Sequence, residues 1–221
     1  MEVARPHETE LRPSAGSSWG SWGGDSWCPE NSWAGGFQLL VESSCGNACD
    51  DTALNGLRLL CVTKEDQETG SVTSKIGSWG KWKSWILCSG SGNFITGIQF
   101  MSEKVRINVG KTLRSKIFQE TVDRDSRHLD ETAGNNVNMG CSGGDLLFGD
   151  GEHWGDWSDW EVCPSDTAVC GINTMGRYQT KNLWYLFINT CCDLLILVEN
   201  DQGWIVDDTA LNQIVLYCCS V

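Results

Sequence analysis

Acidic residues recur at one place in a motif that the chain uses three times. The stretches CDDTALNGLRLLC (49–61), DETAGNNVNMGC (130–141) and DDTALNQIVLYC (207–218) each set two acids beside a Thr that lies nine residues before a Cys. If Asp51, Glu131 and Asp208 converged, they would ring a site with carboxylates. Glycoside chemistry needs two carboxyls, about 5–5.5 Å apart for retention and about 6.5–9.5 Å apart for inversion. A catalytic device usually occurs once per fold, however, and Asp, Thr and Asn serve turns well. Asp and Thr side chains accept backbone N–H groups, and Asn tolerates positive φ. The element is therefore expected to be a turn first, with Asp51, Glu131 and Asp208 as the catalytic candidates of an enzymatic reading. No nucleophile–His–Asp set stands out. The GKT at 110–112 lacks the upstream Gly of a phosphate loop, since Val105 holds that place.

A second repeated mark precedes each copy of the first. SWGSW (18–22), SWGKW (78–82) and HWGDW (153–157) each open a unit, and a Cys follows the first Trp by nine residues every time. The ladders Trp79, Trp82, Trp85 and Trp154, Trp157, Trp160 offer flat indole faces suited to sugar C–H surfaces. Repeated Trp more often buries its large apolar area in a core. The ladders are expected in the core, with partial exposure at Trp85 and Trp160, which are therefore the carbohydrate-binding candidates.

The elements that must position these residues can be read from composition and period. A chain of 221 residues with 40% hydrophobic content and twelve Trp packs a real core. The net charge of −13 argues against nucleic acid as a partner and favours cationic proteins. Twelve Cys, with His7, His128 and His153 in no ligand pattern, indicate disulfides in an oxidising compartment rather than zinc. No metal and no cofactor are expected. The opening MEVARPHETELRPSAG has no apolar leader stretch, but the cysteines outweigh it, and secretion is expected. The run at 183–198 is interrupted by Asp193 and falls short of a membrane span.

Apolar residues inside the units alternate with a period of two. Phe37, Leu39 and Val41 share a face, as do Leu57, Leu59 and Cys61; Val137, Met139 and Cys141; and Ile214, Leu216 and Cys218. The chain is read as all-β. Residues 1–17 are expected to be a disordered segment and 18–221 a single domain of three units, at about 18–61, 78–141 and 153–219. The second and third units are longer than the first, with insertions at about 105–124 and 176–196 expected to lie outside the fold.

Together, WGSW, DDTALNGLRLLC, SWGKW, DETAGNNVNMGC, HWGDWSDW, CGINT and DDTALNQIVLYCC resemble the vitelline membrane outer layer protein 1 family. The resemblance implies a β-prism: three four-stranded antiparallel sheets around a pseudo-three-fold axis on one core. It also implies secretion and a structural or interaction role in the egg's vitelline membrane outer layer or comparable mucosal fluids. A carbohydrate-binding module, or an oligosaccharide transferase or hydrolase acting on N-acetylglucosamine oligomers, is the alternative it leaves open. Partners expected on this reading are oligosaccharides or cationic proteins such as lysozyme, with the chain a monomer. The chain departs from the family in carrying Cys45, Cys49, Cys191 and Cys192. The expected bridges are Cys28–Cys61 and Cys88–Cys141, joining opening and closing strands of one unit. Cys163 and Cys170 should pair with Cys218 and Cys219 in an order left open, and Cys45–Cys49 would form a local loop.

Overall fold

The computed structural model describes residues 5–16, 20–43, 53–103, 134–176 and 211–221. Every described element is a strand. In chain order they are β1 (Thr9–Leu11), β2 (Ser21–Trp22), β3 (Ser26–Trp27), β4 (Trp33–Val41), β5 (Leu54–Val62), β6 (Glu68–Thr73), β7 (Lys81–Trp82) and β8 (Ile86–Leu87). They continue as β9 (Ile95–Ser102), β10 (Gly134–Cys141), β11 (Leu146–Phe148), β12 (Asp156–Trp157), β13 (Glu161–Val162), β14 (Thr167–Gly176) and β15 (Leu211–Ser220).

Three antiparallel sheets result. Sheet I runs β6-β5-β4 and is edged by β7 and β8. Sheet II runs β11-β10-β9 and is edged by β12 and β13. Sheet III runs β1-β15-β14 and is edged by β2 and β3. Each edge pair is one strand broken in two, so each sheet is four strands wide, and the expected β-prism of three such sheets is the architecture. The period-two reading holds in detail. Phe37, Leu39, Leu57, Leu59, Ile98, Phe100, Val137, Met139, Ile172, Ile214 and Leu216 all point inward into one core cluster.

The three units interlock instead of each making its own sheet. The opening motif of the second unit supplies β7 and β8 to sheet I, that of the third supplies β12 and β13 to sheet II, and that of the first closes sheet III. Equivalent hydrogen bonds seat each piece: Gly23 N–H to Thr174 O, Lys83 N–H to Leu39 O and Ser158 N–H to Phe100 O, at 2.9, 2.8 and 2.8 Å. The disulfides follow the same logic. Cys28–Cys61 ties the edge of sheet III to sheet I, Cys88–Cys141 ties sheet I to sheet II, and Cys163–Cys218 ties sheet II to sheet III. These bridges lie within units in sequence but between sheets in space. Cys170, at the β-bulge between Val169 and Gly171, pairs with Cys219 inside sheet III, which settles the order in the third unit.

Three expectations are corrected. Residues 1–17 are not wholly disordered, because β1 pairs with β15 through Thr9↔Cys218, Glu10↔Tyr217 and Leu11↔Leu216, and Leu11 is buried. Covering β15 removes an open edge. The tryptophan ladders are not core. Trp79, Trp85, Trp154, Trp157 and Trp160 are exposed, and among the described residues the buried indoles are Trp27 and Trp33. Register is the reason: Trp82 and Trp157 pair with Leu40 and Met101, which alternate with the inward residues of β4 and β9. In the repeated T-A-x-N turn the positive φ belongs to Ala53, at 48°, while Asn55 is buried within β5. The insertion segments lie outside the described residues except Gly176, which ends β14, and so do Cys45, Cys49, Cys191 and Cys192.

The Gly of the opening motif has a backbone reason to recur. Gly20, Gly80 and Gly155 have φ of 107°, 93° and 104°. A Cβ at Gly80 would stand 2.5 Å from the Val41 carbonyl carbon, and one at Gly155 would stand 2.4 Å from the Ser102 carbonyl oxygen. Gly80→Ala is expected to cost at least about 1–2 kcal/mol from the backbone conformation alone. Urea unfolding of the variant, compared with Gly24→Ala where a Cβ meets nothing within 4 Å, checks this. Equal midpoints for the two would refute it.

Candidate functional site

The outer faces of the sheets carry the groups that sequence and structure leave available for ligands. At the break in each edge strand, an amide from the central strand fills the gap. Gln38 Nε2 donates to Lys83 O at 2.5 Å and Gln99 Nε2 donates to Ser158 O at 2.9 Å. On sheet III the shorter Asn173 reaches a side chain instead, donating through Nδ2 to Asp25 Oδ1 at 2.6 Å. Aligning the opening motifs on their Cys puts Asp25, Trp85 and Trp160 at one position, three residues before Cys28, Cys88 and Cys163. The sequence therefore signalled that sheet III differs from the other two, although Asp25 was not singled out.

Asp25 is the centre of a polar cluster. Tyr217 donates its hydroxyl to Asp25 Oδ1 at 2.7 Å, and its ring stacks on Trp27 with centroids 4.6 Å apart. His7 packs against the same Tyr ring at 4.8 Å. Burial, and then the neighbouring Asp25 carboxylate, push the Tyr217 phenol up to about 12. Sheet III is thus filled on its outer side by its own residues. Beneath the neighbouring corner, Lys75 donates to Ser21 Oγ at 2.6 Å, and burial holds its ammonium below the ordinary lysine value.

The other end of the prism has a depression of about 340 Å³ lined by Asn31, Trp33, Thr63, Lys64, Glu65, Ser220 and Val221. Its Trp33 is committed: the indole N–H donates to Ser220 O at 3.1 Å, and Arg5 and Lys64 each sit 5.7 Å from the ring centre. The motif end is organised by the asparagines of T-A-x-N. Asn135 Nδ2 donates to the Trp154 carbonyl at 2.7 Å, so the closing motif of one unit anchors the opening motif of the next. Asn55, Asn135 and Asn212 are all fully buried, a role the turn reading missed.

Asp51, Glu131 and Asp208 lie outside the described residues. The starts of two of the strands that follow them, β10 and β15, do meet, since a Cβ at Gly134 would stand 2.6 Å from the Leu211 carbonyl oxygen. Among the described residues no group of three or more His, Cys, Asp or Glu is placed to hold a metal ion, and no helix is long and apolar enough to cross a membrane. Trp85 and Trp160 are both exposed on the edge strands, so the structure brings neither into the core nor the two together on one sheet.

Three four-stranded antiparallel sheets closed on one core, with tryptophan-lined edges, define a β-prism of the kind found in jacalin-like lectins. Two solved structures share it: a Calsepa lectin in complex with biantennary N-glycan, at 11% identity and TM-score 0.52 with 99% of this chain and 100% of that one covered, and a single-chain recombinant jacalin at 8% identity and TM-score 0.50, with 100% and 99% covered. The chain belongs to the vitelline membrane outer layer protein I (VOMI) family, whose profile it matches over residues 9–184. It is 34% identical over 211 residues to the human vitelline membrane outer layer protein 1 homolog, covering 95% of this chain and 82% of that protein. The mouse homolog is 33% identical over 207 residues, covering 93% and 80%.

The phenol value has a testable sign. Tyr217 ionises near 12 when folded and near 10 when unfolded, so its stabilising contribution is complete below pH 10 and is lost as pH rises from 10 to 12. Absorbance titration should show one of the three tyrosines ionising late in the native protein, and Tyr217→Phe should abolish that phase. A native titration with no late phase would contradict the Asp25–Tyr217 geometry.

Proposed function

We propose that the protein is a secreted structural and interaction component of an extracellular layer, such as the egg's vitelline membrane outer layer or a comparable mucosal fluid. It works as a monomer that holds oligosaccharides and cationic proteins such as lysozyme together, and it is not a dedicated enzyme. Family membership supports the setting, and the bridges that tie sheet to sheet suit an oxidising compartment.

The observation that carries the glycan half is the edge of sheet I. Trp85 is exposed there, Arg58 lies 4.0 Å over the ring of Trp82, and Lys83 stands between the two indoles in sequence. A flat indole with N–H donors beside it matches a sugar ring, which presents C–H groups on its face and hydroxyl acceptors on its rim. Lectins of the same fold are described in complex with mannotriose and with a biantennary N-glycan; for this chain those ligands are probes.

Titration calorimetry with mannotriose and with chito-oligosaccharides tests the reading. The native chain should bind one class, and Trp85→Ala should weaken it about three- to tenfold. No binding to either would remove the glycan half. Product release that is lost in Asp51→Asn, Glu131→Gln or Asp208→Asn would replace it with an enzyme. Lysozyme association should weaken steeply from low to high salt; salt-independent association would remove charge as its cause.

A further inference from the structure

Trp22, Trp82 and Trp157 occupy equivalent outward places, paired with Met175, Leu40 and Met101 on the three sheets. Two of them carry a cation from the chain itself. The Arg58 guanidinium lies 4.0 Å from the Trp82 ring centre, and that of Arg12 lies 5.7 Å from Trp22. Arg58 is the cross-strand partner of Gln38; the residue in the same place on sheet II, opposite Gln99, is Asn138. Among the described residues no cation lies over Trp157 or Trp160.

Sheet II also exposes the most apolar surface along the row that crosses its centre. On sheet III, Trp27 stacks on Tyr217 across Gly171. On sheet I, Leu87 crosses Gly36, which pairs with Leu60. On sheet II both central places of that row are glycine, Gly97 and Gly140. A Cβ at residue 140 would stand 3.8 Å from Trp160 and 3.9 Å from Leu146, and one at residue 97 would stand 3.6 Å from Trp160 and from Val162, so the Trp160 ring lies across the glycine row while staying 38% exposed. Leu146, Phe148 and Val162 along it are 56%, 66% and 60% exposed. Apolar surface of this kind on one face marks a docking site.

Charge selects the occupant. Residues 95–102 and 134–163 contain no Lys or Arg, against six acids: Asp145, Asp150, Glu152, Asp156, Asp159 and Glu161. Lys83 reaches this rim from sheet I, 4.0 Å from Asp150. The amides of the face are spent: Gln99 Nε2 donates to Ser158 O, Asn138 Nδ2 donates to Gln99 Oε1 at 3.5 Å, and Asn138 Oδ1 accepts from Gly149 N–H at 3.3 Å. The face thus presents indole rings and carboxylates, a match for a cation more than for a neutral sugar that also needs donors.

We propose that the outer face of sheet II docks a basic segment of another protein. Arg or Lys side chains lie over Trp157 and the outward side of Trp160, supplying the cation that Arg58 and Arg12 supply on the other faces, and apolar neighbours seat against Leu146, Phe148 and Val162. The inference extends the basic-partner half of the proposed function and stands apart from the glycan half, so failure of glycan binding leaves it intact.

Nona-arginine and lysozyme are the probes, titrated into the full chain at low and physiological salt. Trp157→Ala and Trp160→Ala should each weaken both about two- to fivefold, while Trp82→Ala, on a face already holding Arg58, should change neither. Asn138→Arg, which installs on sheet II the cation that sheet I carries, should weaken binding more than Ser71→Arg, which adds the same charge on sheet I. Equal affinities for the native chain, Trp157→Ala and Trp160→Ala would overturn the proposal, as would an equal loss in Trp82→Ala. Loss of mannotriose or chito-oligosaccharide binding in Trp157→Ala without loss of nona-arginine binding would give the face to a glycan instead. A chain in which Lys104, Arg106, Lys111, Arg114, Lys116, Arg124 and Arg127 are replaced by Gln supplies the last control. Binding seen only in that chain would assign the face to the protein's own basic residues and overturn the proposal as well.

Discussion

Everything in this fold depends on one constraint: no sheet can finish its own edge. A sheet of three strands would leave a row of unpaired backbone groups, and each row is closed by the opening motif of a neighbouring unit. The motif must turn sharply at Gly20, Gly80 or Gly155 and then lie against the central strand, with its chain broken so that Gln38, Gln99 or Asn173 can fill the gap. Closure round the ring follows from this exchange. The inter-sheet disulfides sit where one unit's edge meets the next unit's sheet, and the buried Asn135 fastens the Trp154 carbonyl at the same kind of junction. The two repeated motifs recur together because each holds the other in place across a unit boundary.

How far this was legible in the sequence depended on which physical signal a residue carried. The strand faces were plain, because Val137, Met139 and Cys141 alternate with Asn136, Asn138 and Gly140, and a period of two fixes which side chains share a face. Pairing of Cys28 with Cys61 and of Cys88 with Cys141 followed from their fixed place in each unit. The interlock was invisible, since a unit defined by spacing does not reveal which sheet its first strand joins. That is also why the tryptophan ladders were misplaced: an edge strand's register decides whether Trp82 or Trp157 faces the core, and register comes from a partner distant in sequence. Strand β1 went unread because Leu11 is a single apolar residue among polar ones, with no period to detect.

The same exchange explains how three similar faces come to differ. The inward positions answer to one shared core and vary little in kind, whereas the outward positions answer only to their own sheet. Sheet III uses this freedom to build the Asp25–Asn173–Tyr217 cluster, sheet I places Arg58 over Trp82, and sheet II lays Trp160 across Gly97 and Gly140. Of the candidate residues, Trp85 and Trp160 were recognisable as exposed, but only comparison of equivalent positions shows that one stands beside basic groups and the other beside acids. Leu54, Gly134 and Leu211, each three residues after Asp51, Glu131 or Asp208 in sequence, begin equivalent strands.

Tension on the protein meets the fold through sheet III, where β1 and the end of β15 lie side by side. Because the pair is antiparallel, with Thr9 opposite Cys218, a pull on the chain before Thr9 and after Ser220 draws the strands apart from one end. Hydrogen bonds then break one at a time, at low force. Slippage stops within a few residues, because Cys218 and Cys219 are bonded to Cys163 and Cys170. From there the load passes through covalent links into sheet II, and onward through Cys88–Cys141 into sheet I. Such a chain gives slightly and then locks, because every further step of extension meets a covalent bond between strands.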